Sequence, residues 1–381
     1  MISDLGYLSW WHDNRLWLTA PLSHNLVIVD KQTQSNHRVA TPELFAGNGG
    51  ILAMRFNAPS CYPGKTSEYA RTMFTLPLPG GRQYLVDFFS VKGGSEHLWT
   101  FHADGEGFTP PAGAAFTPAD TTEVGGKELG ANWLKNLRKG TIPAGTAVFR
   151  WQFDKDTETV LYRLSGRPGT IFLADAPGLR DQSTPYADIK LNLVLEQRGG
   201  PENVFATVLE CHQGAPLIES ASLLETGGRP ATAVKVTTKS GTDLIVLAEP
   251  GAGTVTLPGY PAFRMDARSG VVRLNADGKP VTLWSEGRLA YGAATLDAPA
   301  PVRGGILAVN GHELTTDLTA VPDLEWSGNY LNASAHHDGM YRMQSAALKS
   351  GKLVITLSSS EIVRLKSGDS FTIQPYLEKN Y

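Results

Sequence analysis

The sequence predicts a nearly all-β protein, built as a large antiparallel multi-sheet sandwich with a smaller β-sheet domain after it. The 40 glycines and 24 prolines divide the 381 residues at short intervals, which favours short strands and turns over long helices. The runs between these turns are rich in β-branched and aromatic residues. No fixed-period repeat is visible. We expect the sandwich to span residues 1–295 and the smaller domain to span residues 296–381.

The first hundred residues contain the clearest strands. Residues 1–20 are rich in aromatic side chains without a clear period, and we expect an irregular lead-in there. Alternation and turn signals then predict five strands. They are His24–Asp30, Ile51–Phe56, Glu68–Leu76, Tyr84–Val91 and His97–His102.

The middle of the chain is less regular. Residues 103–130 are rich in Pro, Gly, Ala and Thr and are predicted to form a long exposed loop. Asn132–Arg138 is the one helix candidate, and it is short. A meander of short strands is expected after about residue 215, including a hairpin of Tyr341–Leu348 with Lys352–Leu357 across Lys349-Ser350-Gly351.

Charge and composition restrict the classes of partner. The formal charge of −3, from 34 basic and 37 acidic residues, gives no overall basic field for nucleic acid or an anionic membrane. No apolar run reaches the roughly 18 residues of a membrane helix, and no signal peptide is visible. A polyanionic ligand would need a local basic patch. Candidates for such a patch are Arg15, Arg55, Arg71, Lys135, Arg138 and Lys139.

Common catalytic motifs are missing from the sequence. There is no Gly-x-Ser-x-Gly elbow, no P-loop and no Gly-x-Gly-x-x-Gly. Cys61 and Cys211 lie far apart without metal-binding spacing. A glycosidase would need paired carboxylates in one cleft, and no pair is evident. His97 and His102 lie on opposite faces of a strand, so both could bind one metal only if the strand contained a bulge.

Four segments in order resemble the heparinase II/III-like family of polysaccharide lyases. They are His24-Asn25-Leu26-Val27-Ile28-Val29-Asp30 with Gln34 behind it, Tyr69-Ala70-Arg71-Thr72, Tyr84–Val91 running through Gly93-Gly94 to His97-Leu98-Trp99-Thr100-Phe101-His102, and Pro201–Glu210. Leu26 stands where the family usually has threonine. The resemblance covers roughly residues 1–250.

The family combines an α/α-toroid with a β-sandwich, and this chain resembles only the β half. The resemblance implies a supersandwich-like fold and β-elimination on a uronic-acid-containing polysaccharide, of heparan, alginate or another type. It also implies a toroid in a partner subunit or an upstream segment, and a periplasmic or extracellular location. Whether the chain is itself an enzyme stays open.

The resemblance also assigns candidate site residues. It implies catalytic roles for His24 and Tyr69, and substrate binding by Asn25, Gln34 and Arg71. No cofactor is required, but a structural zinc is an open alternative.

The zinc ligands would be Asp87 and His24 with His97 or His102, a nitrogen and oxygen set that zinc accepts. Structural roles stay open as alternatives. His24 could cap the start of a strand, Tyr69 could be a half-buried aromatic of the sheet, and the amides of Asn25 and Gln34 could close a turn.

The second functional hypothesis is a non-catalytic carbohydrate-binding or structural β-protein that has lost its helical half. Its aromatic side chains, including Trp10, Trp11 and Trp17, would then stack on sugar rings instead of docking helices. Binding without turnover would distinguish this hypothesis from a lyase.

Overall fold

A computed structural model describes residues 15–103, 105, 107–178, 190–333 and 339–381. In this part of the chain the secondary structure consists of 31 strands, numbered β1 to β31 in chain order, one helical turn α1 (Arg15–Leu18) and short 3₁₀ turns. The 3₁₀ turns are Pro21–Ser23, Pro59–Cys61, Pro79–Gly81, Thr121–Glu123, Lys127–Leu129 and Ala131–Trp133. The all-β prediction is confirmed. No helix in the described ranges is long and apolar enough to cross a membrane.

The chain forms two compact units. Of the described residues, the first unit comprises those within Met1–Arg38, Pro59–Ala70 and Pro79–Leu217, and the second comprises those within Val39–Ala58, Arg71–Leu78 and Ile218–Tyr381. The predicted boundary between residues 295 and 296 stays a prediction. A small closed barrel within the second unit begins at Val302.

The first unit contains two antiparallel sheets. Hydrogen-bonded neighbours in the first sheet are, in order, β1 (Val27–Val29), β6 (Glu96–Ala103), β13 (Lys190–Gly199), β12 (Gly169–Pro177), β9 (Lys135–Ile142) and β8 (Thr117–Pro118). The second sheet runs from the beginning of β4 (Thr66–Pro77) through β5 (Gln83–Gly93), β14 (Glu202–Gln213), β11 (Thr157–Ser165), β10 (Gly145–Gln152) and β7 (Gly107–Thr109).

An aromatic layer joins these two sheets. Trp99 and Phe101 of β6 stack with ring centroids 5.7 Å apart, Trp99 stacks on Phe205 of β14 at 6.4 Å, and Phe101 meets Trp151 of β10 at 5.3 Å. The other face of β6 places Leu98 in a separate apolar cluster. The predicted division of this strand into two faces is therefore confirmed.

The predicted helix over Asn132–Arg138 is wrong, because β9 occupies most of it. Between its pairs Leu173↔Arg138 and Asp175↔Lys135, β9 carries one residue more than its partner β12, which is a β-bulge. Asn136 has a φ of 52° within the bulge. The extra residue brings Leu134 and Leu137 to the same buried cluster, so their spacing of three resembles that of a helix.

The second unit contains two further sheets and the barrel, besides β2 (Thr41–Ala46), β3 (Leu52–Asn57) and the end of β4. One sheet is β15 (Ile218–Leu224), β17 (Ala231–Thr238), β18 (Gly241–Ala248), β21 (Ser269–Asn275), β22 (Pro280–Ser285) and β31 (Leu377–Asn380). The other is β16 (Gly227–Gly228), β19 (Val255–Leu257), β20 (Tyr260–Asp266), β23 (Arg288–Tyr291) and β24 (Ala294–Asp297).

The barrel closes in the order β25 (Val302–Asn310), β26 (Glu313–Thr316), β29 (Lys352–Leu357), β28 (Met340–Lys349), β27 (Tyr330–Ala333) and β30 (Ser370–Ile373). The predicted hairpin of β28 and β29 is confirmed, with Lys349 opposite Lys352. Its turn residues Ser350 and Gly351 both have positive φ angles. Alternate residues fill the barrel with an apolar core that includes Leu331, Phe371 and Ile373, so the intervening residues face outward.

Candidate functional site

His24 and Asn25 form a fixed corner at the beginning of β1. The hydroxyl of Thr100 donates to the carbonyl of His24 over 2.5 Å. The Asn25 amide donates to the carbonyl of His102 over 3.1 Å, and its oxygen accepts from the His102 N–H over 2.8 Å. The Asn25 side chain thus makes the two hydrogen bonds to His102 that the backbone of a neighbouring strand would otherwise make with β6. The backbone of His24 is held on both sides, and its imidazole is half-buried.

His102 closes the same corner from β6. Its side chain is buried, and Nε2 lies 2.9 Å from the carbonyl of Ser23. Because a carbonyl only accepts, Nε2 carries the proton and donates it. His102 therefore holds the 3₁₀ turn Pro21–Ser23 against the sheet.

Tyr69 and Gln34 also contact β1. The phenol of Tyr69 donates to the carbonyl of Val27 over 2.7 Å and accepts from Nε2 of Gln34 over 3.1 Å. Only 6% of Tyr69 is exposed, and burial raises the pKa of its phenol well above the ordinary value. A buried phenol with a raised pKa is a poor base at neutral pH, so the catalytic role of Tyr69 stays a prediction.

His97 uses both ring nitrogens within the fold. Nε2 donates to the carbonyl of Gly93 over 2.8 Å, and Nδ1 accepts from the Asn203 amide over 2.7 Å. The ring is fully buried. Burial lowers the pKa of His97 below its ordinary value. The imidazole is therefore neutral at physiological pH and has no free lone pair for a metal.

The predicted zinc ligands do not assemble. Over residues 15–103, 105, 107–178, 190–333 and 339–381, no three His, Cys, Asp or Glu side chains form a group that could hold a metal. Asp87 is buried on β5 opposite Thr207 of β14. The hydrogen bonds of His97 and His102 likewise do not fit a zinc site. Arg71 is half-buried and belongs to the second unit, whereas the other predicted site residues belong to the first.

Asp30, the last residue of the first motif, holds the turn between β5 and β6. Its carboxylate accepts from the N–H and hydroxyl of Ser95 over 2.7 and 2.8 Å, from the N–H of Glu96 over 3.1 Å, and from Lys65 over 3.0 Å. Burial alone would raise the pKa of Asp30, but these donors lower it well below the ordinary value. Gly94 lies close to this site, and it has no room for a side chain: a Cβ at this position would lie 2.5 Å from Val29.

A cleft of about 750 Å³ lies within the second unit, and we call it the second-unit cleft. Its lining includes β2, the segment 249–251, the segment 266–268 and the outward face of the barrel. The charged residues of the lining are Glu43, Arg55, Arg229, Glu249, Asp266, Arg268, Glu286 and Arg303. The uncharged side chains include Phe45, Tyr330, Asn332, Thr372 and Gln374.

A buried ion pair forms part of the lining of this cleft. Arg55 donates to both oxygens of Glu286 over 2.6 and 3.1 Å, and also to Thr72 and Ser269. Burial alone would raise the pKa of Glu286, but the charge and hydrogen bonds of Arg55 lower it below the ordinary value. Arg55, one of the candidates for a basic patch, is therefore not available to a polyanion.

No sequence motif marks the second-unit cleft. Arg229, Arg268 and Arg303 belong to no motif. The available signal was the alternation of Tyr330-Leu331-Asn332-Ala333 and Phe371-Thr372-Ile373, in which the apolar residues are buried and the others half-buried. Alternation predicts an outward polar face, but not which other residues of the unit lie against it.

Comparisons with known proteins give the following results. No family model and no curated protein matches the sequence. The chain is similar to the solved structure of a mutant of heparan sulfate lyase HepC from Pedobacter heparinus, with 13% identity, a TM-score of 0.42 and coverage of 65% of this chain and 34% of that chain.

A second structure of HepC from the same organism gives 11% identity, a TM-score of 0.41 and coverage of 66% and 35%. The heparinase III BT4657 gene product gives 16% identity and a TM-score of 0.39, with coverage of 68% of this chain and 33% of that chain. All three structures are of heparinase-type enzymes. The chain spans about a third of the length of each.

Proposed function

We propose that this chain is the β-sandwich part of a polysaccharide lyase that acts by β-elimination on a uronic-acid-containing polysaccharide. An α/α-toroid, in a partner subunit or an upstream segment, completes the enzyme. The observation that carries the proposal is the fixed corner at His24 and Asn25. Three of the four motif segments supply strands to this unit as neighbours, with β1 beside β6 and β5 beside β14.

The reaction defines what the corner could contribute. β-Elimination removes the proton α to a carboxylate and expels the glycosidic oxygen at the β position. The carboxylate must be neutralised as enolate charge develops, a base must take the proton and an acid must protonate the leaving oxygen. An imidazole N–H can donate to the carboxylate. We assign this neutralising contact to His24, whose backbone is held by Thr100 and Pro21.

The base and the acid are assigned to the toroid. Tyr69 is buried and donates to Val27, so we give it a positioning role that fixes the beginning of β1, three residues after His24. Asn25 and Gln34 have the same kind of role, since their amides bind His102 and Tyr69. This assignment uses the toroid that the family resemblance implies, and it replaces the catalytic role that the resemblance implies for Tyr69.

Absorbance at the unsaturated-uronate band tests the proposal. Heparan-type and alginate polysaccharides would be incubated with the chain alone and with its toroid-bearing upstream polypeptide. We expect turnover only with the toroid. His24→Ala should lower kcat/KM by about 100-fold or more, while the control His37→Ala, an exposed histidine of the same unit, should change nothing. Turnover by the chain alone, or full activity of H24A, would contradict the assignment.

A second candidate function is carbohydrate binding without catalysis. The observation that favours it over catalysis is that the phenol of Tyr69 is buried and donates to Val27, so it offers no exposed proton-transferring group. Binding of a uronate oligosaccharide with no turnover in the presence of the toroid would support it and reject the lyase proposal.

A further inference from the structure

We propose that the second-unit cleft is a separate subsite for an acidic oligosaccharide, and that Arg303 receives a carboxylate of this ligand. The choice of ligand class rests on the proposed function, because it assumes the same kind of polymer. The location rests on the second unit alone. A volume of about 750 Å³ lies within the range of roughly 300–1,000 Å³ that is typical of ligand pockets.

The barrel supplies an ordered polar wall. Thr372 of β30 lies opposite Arg303 of β25 on one side and opposite Asn332 of β27 on the other. All three residues line the cleft. Neighbouring strands are about 4.8 Å apart, so the three side chains form a row at that spacing. The amide N–H of Asn332 already donates to the carbonyl of Pro42, which leaves the Asn332 side-chain oxygen, Thr372 and Arg303 to meet a ligand. Their sequence neighbours Leu331 and Ile373 pack in the barrel core, which holds the row in place.

Two of the arginines that line the cleft are already neutralised. Arg55 binds both oxygens of Glu286, and Arg268 binds Glu43 over 2.6 Å. A ligand carboxylate would have to compete with these partners. Neither arginine is therefore the expected anion site.

The other two arginines have no carboxylate partner among the described residues. Arg229 donates to the carbonyls of Gly251 and Ala267, which connects two segments of the lining. Arg303 is exposed and forms no ion pair within the described part of the chain. Because a guanidinium can bind both oxygens of a carboxylate at once, Arg303 is the group best suited to an acidic ligand.

Aromatic rings supply the apolar surface that a sugar needs. Phe45 of β2 and Tyr330 of β27 are half-buried, and their ring centroids are 4.5 Å apart at 58°. A sugar ring presents C–H groups on its faces and hydroxyls at its edge, so it suits an aromatic surface beside amide and hydroxyl groups. Gln374 and Thr372 provide such polar groups here.

The charges of the cleft lining cancel, so the cleft has no net positive charge that would attract polyanions in general. Four arginines face four carboxylates, Glu43, Glu249, Asp266 and Glu286, so the formal sum is 4 − 4 = 0. Attraction of any polyanion by a basic surface is therefore not expected. Recognition should depend on one carboxylate at Arg303 and should weaken when that carboxylate is reduced to an alcohol.

Isothermal titration calorimetry of the whole chain tests this proposal. The probes are an alginate tetrasaccharide and a heparin tetrasaccharide, each compared with its carboxyl-reduced form. We expect Arg303→Gln to weaken binding of the acidic form about tenfold or more and to leave the reduced form unaffected. Arg288→Gln is the matched control, since Arg288 is an exposed strand arginine of the same unit outside the cleft. Circular dichroism would verify that the variants fold.

The outcomes separate this subsite from the proposed lyase site. Binding that survives His24→Ala but weakens in R303Q supports the subsite. Binding that is lost in H24A and unchanged in R303Q overturns the subsite and leaves the lyase proposal standing. Equal binding of the acidic and carboxyl-reduced forms also overturns the subsite, and so does a failure of both acidic tetrasaccharides to bind. The lyase proposal is decided by the absorbance assay alone.

Discussion

The corner at β1 and the second-unit cleft use their polar side chains in different ways. In the first unit, Asn25, Gln34 and Tyr69 are bound to the chain itself. In the cleft, the buried ion pair is saturated, but Arg303 on an outward strand face is exposed without a carboxylate partner among the described residues. A conspicuous motif can therefore consist of residues that hold the fold together, whereas Arg303, which is exposed to a ligand, belongs to no motif.

The two units also bury charge differently. In the first unit, Glu196 lies between Arg163 and Arg198, and all three side chains are at most 6% exposed. In the second unit, Glu286 meets one arginine, Arg55. Burial would raise the pKa of each glutamate, but the arginines lower both below the ordinary value. Each carboxylate is therefore ionised at neutral pH.

Neutralising these two glutamates gives the largest expected effects. Glu286→Gln leaves Arg55 without its counter-charge and should lower the free energy of unfolding by about 3–5 kcal/mol. Glu196→Gln leaves two buried arginines uncompensated, and the loss should reach or exceed the upper end of that range. Urea denaturation monitored by circular dichroism would measure both losses.

A double variant serves as the control for this prediction. Replacing both members of a buried pair with apolar residues of similar size removes the unpaired charge, and often restores stability. Arg55→Met with Glu286→Leu should therefore recover most of the loss. Equal losses in E196Q and E286Q would mean that the second arginine in the first unit is adequately solvated.

The sequence predicts the class of the fold well, because alternation and turn residues are local signals. Strands such as His97–His102 and the hairpin of β28 and β29 followed from those signals alone. The helix predicted at Asn132–Arg138 failed because a bulge changes the period of burial from two to three at one residue. A bulge depends on the partner strand, β12, which lies far along the chain.

The candidate site was predicted only in part, for a related reason. The motif residues His24, Asn25 and Tyr69 do meet around β1. Their roles depend on which hydrogen bonds the fold has already satisfied, and the sequence does not contain that information. The second-unit cleft combines β2 with strands about 260 to 330 residues later, so no local pattern could have identified it.

Asp30 tests whether the first motif is architectural. Asp30→Asn keeps the size of the side chain but removes its charge, and should cost about 1.5–3 kcal/mol at neutral pH. The pKa of Asp30 is lowered in the folded state. This contribution is therefore fully present above the unfolded value of about 3.9 and is lost as the pH falls below it. Unfolding free energies from pH 7 to pH 3 would measure the difference.

The pH dependence gives this prediction its control. The difference between wild type and D30N should shrink as the solution becomes more acidic, whereas Asp277→Asn, at an exposed turn, should show no such trend. A difference that stays constant across this pH range would mean that the charge of Asp30 contributes nothing to folding.

Tyr69→Phe distinguishes a positioning role from a catalytic one. The variant removes a hydroxyl that donates to Val27 and accepts from Gln34, and should lower the unfolding free energy by about 1–2 kcal/mol. Below the unfolding temperature, turnover with the toroid should fall less than tenfold. A loss of 100-fold or more in kcat without a loss of stability would restore the catalytic role and weaken the contrast between the two regions.

The smallest effect is expected at the rim of the second-unit cleft. Glu43 and Arg268 form an ion pair at 2.6 Å, but each side chain is 26% exposed, against 2% and 4% for Arg55 and Glu286. Water screens the exposed pair, so a double-mutant cycle with Glu43→Gln and Arg268→Gln should give a coupling energy of at most about 1 kcal/mol. The same cycle at Arg55 and Glu286 should give several times more. Equal couplings would show that the rim is as desolvated as the buried pair, and the cleft would then be too dry for an exchangeable acidic ligand.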